Sequence, residues 1–304
     1  LNRILVIRGG AIGDFVLTLP AIKLLRDRFP KSHLEILGYE HIIALAQKRY
    51  YAAAIRSIES GALARFFARN SDLPSELIDY FGGFDLIVSY LFDPDGIFQA
   101  NVKQCGSHTF LAVPPKLTDG EHAARHLARP LEALGLHLQD AAARIYPNEK
   151  DREFARNFLR DLKNRVIVLH PGSGSDRKNW PIENWRQLGE HLFATGRAVI
   201  VVSGEADEAR ARLLEAAWKG KQVRFARNLP LPLLAALFEN TIFVGHDSGI
   251  SHIAAAVGAR CVLLFGPTDP RVWAPANENV RVIRAPGGNL GLLAADGVLA
   301  VIER

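Results

Sequence analysis

The 304 residues are enough for two domains of ordinary size, each able to bury its own core. With 48% hydrophobic and 23% charged residues, the composition is that of a globular protein and excludes a disordered or fibrous chain. A formal charge of +5 suits an anionic partner, but the basic residues are spread along the chain without a run or motif, so a nucleic-acid partner is not expected.

In chain order, the apolar run from Ile4 to Ile7 reads as a buried strand. It is followed by a glycine loop and a helix from Asp14 to Phe29 with Phe15, Leu19, Ile22 and Leu25 near helical spacing. Leu34 to Gly38 gives a second strand and His41 to Gln47 a short helix, and this β-α-β order implies a parallel sheet. Phe84 to Ser89 and Thr109 to Val113 extend it, with a turn at Asp93-Pro94-Asp95-Gly96. Helices are predicted over Glu121 to Leu134, capped by Gly135, and over Glu149 to Leu162. At Arg165 to Leu169 the opening pattern of basic residue, apolar strand and small-residue loop returns and starts a second sheet. Helices over 182–195, 205–217, 232–240 and 251–257 then alternate with strands over 198–203, 223–226, 241–245 and 260–265. The expected fold class is α/β, with two Rossmann-like doubly wound domains, 1–160 and 161–304, facing a central cleft.

Ligands of such sheets bind beyond the carboxyl ends of the strands, so the loops after strands hold the candidate chemistry. In Arg8-Gly9-Gly10-Ala11-Ile12-Gly13-Asp14 the glycines permit close backbone approach, but their spacing is not that of a dinucleotide fingerprint. Asp14 alone has a structural explanation as a helix-start residue. His170-Pro171-Gly172-Ser173-Gly174-Ser175 exposes amides and hydroxyls and is followed by Lys178, a point charge suited to phosphate, without the spacing of a P-loop. Asp247-Ser248-Gly249 opens a helix whose amides and Ser248 hydroxyl suit a diphosphate, while Asp247 suits sugar hydroxyls. His252 follows on that helix, where packing is the simpler role, and Gly266-Pro267-Thr268 ends a further strand. Glu205, after another strand, fits either ribose binding or helix capping.

Gly13-Asp14 with Leu17-Thr18-Leu19-Pro20, His170-Pro171-Gly172-Ser173 with Lys178-Asn179-Trp180-Pro181, and Asp247-Ser248-Gly249-Ile250-Ser251-His252 together resemble the ADP-heptose:lipopolysaccharide heptosyltransferase family (glycosyltransferase family 9). The resemblance runs through both halves and implies a GT-B fold, with the acceptor bound by the N-terminal domain and the nucleotide sugar by the C-terminal one. It implies an inverting transfer that needs neither cofactor nor metal, with Asp14 as general base and Gly13 on the acceptor side. Lys178 falls at the leaving phosphates, and Ser173, Gly174, Glu205, Asp247, Ser248, Gly249 and His252 form the donor set. The implied partners are a nucleotide-diphosphate sugar, ADP-heptose above all, and a lipopolysaccharide core or other anionic glycan. Arg56, Arg65, Arg69 and His122-Ala123-Ala124-Arg125 are further features that could meet an anionic acceptor, a solvated basic face being the plainer reading of the arginines.

Cys105 and Cys261 lack metal-ligand spacing and read as buried free thiols in a reducing compartment. Leu1 to Arg8 reads as a strand rather than a signal segment, and no apolar stretch approaches ~18 residues. The expected location is cytoplasmic, peripheral at the inner face of the membrane. Three other readings remain at this point: a metal-dependent transferase using Asp93-Pro94-Asp95, a nucleotide-sugar epimerase, and a non-catalytic nucleotide-sugar-binding protein.

Overall fold

The computed structural model describes residues 1–113, 117, 120–162 and 166–303. They divide into two compact units, Leu1–Ala141 and Ala142–Arg304. The division falls earlier than the expected 160/161 because helix Glu149–Leu159 packs on helix Leu231–Phe238 of the second unit. Arg152 fixes that pairing with two hydrogen bonds to Glu239, at 2.8 and 2.9 Å.

The first unit is built on β1 (Arg3–Arg8), β2 (His33–Gly38), β3 (Ala54–Ser57), β4 (Leu86–Ser89) and β5 (Thr109–Ala112). All pair in parallel in the order β3-β2-β1-β4-β5. Ile4 to Ile7 are fully buried, as a parallel sheet covered on both faces demands. The following helix runs Ile12–Arg28, so it begins two residues before Asp14. It is not amphipathic: Phe15 to Ile22 are buried without interruption, and Pro20 sits inside it. The helix predicted over Glu121 to Leu134 divides into an α-helix, Ala123–Ala128, and a 3-10 turn, Arg129–Leu134. Pro130 accounts for the change, since it has no N–H to donate. Gly135 closes the turn in the left-handed conformation, with φ +71°.

The second unit contains β6 (Val166–Leu169), β7 (Ala198–Ser203), β8 (Val223–Arg227), β9 (Ile242–His246), β10 (Arg260–Phe265) and β11 (Val280–Arg284). These form one parallel sheet in the order β8-β7-β6-β9-β10-β11. Arg165, expected to open β6, lies outside the described residues. The core beneath the sheet is anchored by the buried indoles of Trp180, Trp185 and Trp218. Helix Ile182–Ala194 approaches Trp218 at Gly189, where an added Cβ would stand 2.2 Å from the indole ring. Of the two thiols, Cys261 is buried but Cys105 is only partly so, and both are free.

Because both helix backbone and indole are fixed there, overpacking should cost about 1–3 kcal/mol. Gly189→Ala is therefore expected to lower the melting temperature in calorimetry without changing the content of secondary structure, and an unchanged melting temperature would show that the contact yields freely.

Candidate functional site

In each sheet the strand order reverses once, between β1 and β4 in the first and between β6 and β9 in the second. The loops leaving adjacent strands at that point must run to opposite sides, which opens a crevice at their carboxyl ends. The sequence-derived loops lie at these two places.

In the first unit the loop after β1 carries Gly9 and Gly10, and the chain after β4 carries Tyr90, Leu91 and Phe92. A cavity of about 470 Å³ lies between them, lined by Arg8, Gly9, Gly10, Tyr39, Phe67 and Phe92, among others. Asp14 is the third residue of its helix, and its Oδ2 accepts the Ala11 backbone N–H at 2.9 Å. Gly10, at φ +93°, is the residue that lets this carboxylate fold back, since a Cβ there would stand 2.8 Å from Oδ2. The other oxygen, Oδ1, stands 3.5 Å from the Arg8 guanidinium, and the Asp14 side chain remains 42% exposed. Arg8 is itself held by the Asp14 and Tyr90 carbonyls. Burial strips water from its guanidinium and draws its pKa below the usual arginine value, with Asp14 opposing the shift. Gly13 follows Ile12 within the same first helical turn.

Two of the arginines considered for an anionic ligand, Arg56 and Arg65, have protein partners. Arg56 donates to Glu76 at 2.8 Å and lies over the Tyr80 ring, and Arg65 donates to the Asp72 carbonyl. Asp93 is a turn and cap residue, its oxygens accepting the Phe98 and Gln99 N–H groups, which agrees with Asp93-Pro94-Asp95 being a turn.

In the second unit the loop after β6 and the loop after β9 are joined by buried side chains. His246, at the end of β9, accepts the Trp180 backbone N–H on Nε2 at 2.8 Å, which places the ring hydrogen on Nδ1, 3.1 Å from the Gly172 carbonyl. Burial of this ring holds it neutral, its pKa pushed down to about 3. Arg210 straps the same loop by donating to the Pro171 and Trp180 carbonyls. Lys178 Nζ reaches Asp247 Oδ2 at 2.7 Å, and Thr268 donates to the same oxygen at 2.8 Å, so three strand-end loops converge on one carboxylate. Ser248 caps helix Gly249–Ala256 by accepting the Ser251 N–H. Beneath it, His170 Nε2 lies 3.0 Å from Asp207 Oδ2, and His170 Nδ1 lies 3.4 Å from Ser248 Oγ. Burial works to raise the pKa of Asp207, but the hydrogen bond from His170 leads the opposing influences and the carboxyl lies below its ordinary value.

The remaining candidates occupy different settings. Ser173 turns onto its own loop, donating to the Ser175 carbonyl at 2.8 Å, while Gly174 is exposed. Glu205 is exposed in the 3-10 turn after β7, and His252 is buried within its helix. Asp207, Arg210 and the brace made by His246 were not identified from sequence. A histidine at the inner end of an apolar strand gave a weak signal for His246, but nothing local marks Arg210, whose partners are 39 and 30 residues away.

A family model described as glycosyltransferase family 9 (heptosyltransferase) matches residues 120–290. Lipopolysaccharide heptosyltransferase 1 of Escherichia coli RS218 is 31% identical over 154 residues, covering 50% of this chain and 46% of that protein, about half its length. Lipopolysaccharide heptosyltransferase 3 of Escherichia coli K12 is 25% identical over 291 residues, covering 88% of this chain and 83% of that one. The solved structure of E. coli heptosyltransferase WaaC with ADP aligns over 99% of both chains with a TM-score of 0.76 at 20% identity, which shows a common fold.

The buried His246 ring sets a pH dependence of known sign. Its folded pKa lies below the unfolded value near 6.5, so its contribution is complete above about pH 6.5 and is lost as pH falls toward 3. Urea unfolding at pH 7 and pH 5 should show a decline of up to about 1.4 kcal/mol per pH unit below 6.5 from this ring. That part of the decline should be absent in the less stable His246→Asn; equal pH slopes in the two proteins would place the effect elsewhere.

Proposed function

The chain belongs to glycosyltransferase family 9, the heptosyltransferase family, and from that premise we propose that it transfers a heptosyl unit from ADP-heptose to a sugar hydroxyl of a lipopolysaccharide core. The transfer inverts the anomeric carbon and uses no metal or other cofactor. The observation that carries this reading is the convergence of the loops after β6, β9 and β10 on Lys178, Asp247 and Thr268 at the switch point of the second sheet. The names of the matching relatives and the ADP in the solved neighbour supply the substrate class.

The diphosphate of the donor lies at the N-terminus of helix Gly249–Ala256, where free amides and the partial positive charge of the helix meet it, with Ser248 as the cap that orders them. An ammonium has three donors, so Lys178 keeps its bond to Asp247 and directs its other hydrogens at phosphate oxygen. Asp247 thereby positions the lysine; both of its side-chain bonds fall on Oδ2, which leaves Oδ1 for a hydroxyl of the donor. Gly174 offers unobstructed backbone, Gly249 opens the helix, Ser173 shapes the loop, Glu205 meets the ribose side, and His252 packs behind the helix.

On the acceptor, Asp14 Oδ1 takes the hydroxyl proton as the oxygen attacks C1, while the bond from C1 to the diphosphate breaks and the electron pair leaves with the phosphate. Gly13 lies beside the acceptor, and the Ala11 N–H and Arg8 hold the carboxylate in place. The charge that grows on the leaving group is met by Lys178 and the helix amides, and this takes the place of a metal ion in the step. No helix among the described residues is long and apolar enough to cross a membrane. A lipid-anchored acceptor then calls for peripheral contact with the inner membrane face.

Asp14→Asn should retain ADP affinity within about twofold while turnover falls by about 10²–10³, the effect of one electrostatic or proton-transfer group. Lys178→Gln should lower turnover to a similar degree and also weaken ADP binding. Transfer by Asp14→Asn at the wild-type rate would remove the base assignment. Wild-type transfer should continue in excess EDTA; loss of activity restored by added Mg²⁺ would contradict the metal-free step.

A further inference from the structure

Asp207 and His170 are buried and have no part in the transfer so far, yet with Ser248 they form a chain that runs from the interior to the donor loop. Its members come from three separate places: the residue after β6, the 3-10 turn after β7 and the residue before helix Gly249–Ala256. The sequence makes a specific allowance for it. Asp207 reaches His170 only because residue 172 is glycine, since a Cβ there would stand 1.8 Å from Asp207 Oδ1. His170 is 2% exposed, stacks on Phe243 and cannot reach a ligand itself.

We infer that His170 is a positioning residue for the donor diphosphate, acting through the Ser248 hydroxyl and held by Asp207. The inference rests on the donor reading given above for the loop after β9. Asp207 is a carboxylate acceptor, so the His170 hydrogen lies on Nε2 at that contact, and Nδ1 faces Ser248 Oγ. Around Ser248 the other positions are occupied: its oxygen accepts the Ser251 N–H, and the Ser251 hydroxyl donates to the His246 carbonyl. The hydroxyl is therefore confined by His170 on one side and Ser251 Oγ, at 3.1 Å, on the other. The hydroxyl has one hydrogen, which Nδ1 accepts, and its oxygen takes the Ser251 N–H, so Ser248 is held as the helix cap and the free amides of the helix N-terminus keep a fixed direction toward the phosphate. Ordering that terminus in advance saves conformational entropy on binding.

Two substitutions separate this role from a merely structural one. Glutamine in place of His170 can keep the donor that faces Asp207 but lacks an atom facing Ser248, whereas asparagine keeps an atom near the Nδ1 position and loses the reach to Asp207. By calorimetric titration with ADP, His170→Gln should bind about tenfold more weakly than wild type, the effect of one hydrogen bond. His170→Asn should bind within about threefold of wild type, and His170→Gln should add less than twofold to the loss in Ser248→Ala. If the residue served only to tie the loop to Asp207, the order of the two variants would reverse and the losses in Gln and Ala would multiply. Thermal melting without ADP identifies any variant that fails to fold, and Ser248→Ala alone, with His170 intact, still must weaken binding. Unchanged affinity in both His170→Gln and Ser248→Ala overturns the relay while leaving the donor reading intact. Failure of the wild-type protein to bind ADP overturns both.

Discussion

The His246 imidazole joins the ends of β6 and β9 at the point where the strand order of the second sheet reverses. Its two ring nitrogens satisfy the Trp180 N–H and the Gly172 carbonyl, groups that flank the loop carrying Ser173, Gly174 and Lys178. Leaving either group buried and unpaired costs about 1–3 kcal/mol, so the ring fixes the path of the loop at both ends. Arg210 repeats the constraint from helix Glu208–Ala217, bonding the Pro171 and Trp180 carbonyls. Lys178 is consequently delivered to Asp247 by a loop whose backbone is satisfied within the protein. The interaction is internal to one unit and needs no ligand.

The two units use a common device in different surroundings. In both, a glycine beside a strand end lets a carboxylate approach the backbone: Gly10 for Asp14, Gly172 for Asp207. In the first unit the carboxylate stays partly exposed beside a guanidinium and a cavity with aromatic walls, which suits a proton acceptor working on a bulky ligand. In the second the carboxylate is turned inward to a histidine, and the groups left at the surface are an ammonium, hydroxyls and helix amides. That set is suited to negative charge.

Much of the fold was legible in the sequence because strands buried on both faces must be continuous apolar runs. Strands Ala198–Ser203 and Arg260–Phe265 lie where the pattern places them. β3 and β11 were missed, since Ala54–Ser57 and Val280–Arg284 are edge strands, half-buried and interrupted by arginine. Four apolar positions near helical spacing mark the first helix, but they understate its burial, which runs from Phe15 to Ile22 without a period. The loops that hold the candidate site were legible from glycine, serine and charge at strand ends. The brace and the relay were not, because they depend on partners such as His246 and Gly172, 74 residues apart, or Asp207 and His170, 37 apart. A local pattern cannot encode such a pairing. The domain boundary was missed for the same reason, the helix over 149–159 being placed by Glu239 rather than by its neighbours in the chain.

His246 holds the loop after β6 through the Trp180 N–H and the Gly172 carbonyl, and it does so without a ligand. Amide hydrogen exchange of the ligand-free protein measures this most directly, through the Trp180 N–H that donates to the ring. That amide should exchange only with global opening of the second unit, at a rate that added ADP slows no more than it slows the core strands. Rapid exchange in the free protein, with protection appearing only after ADP is added, would mean that the nucleotide builds the loop and that His246 alone does not hold it.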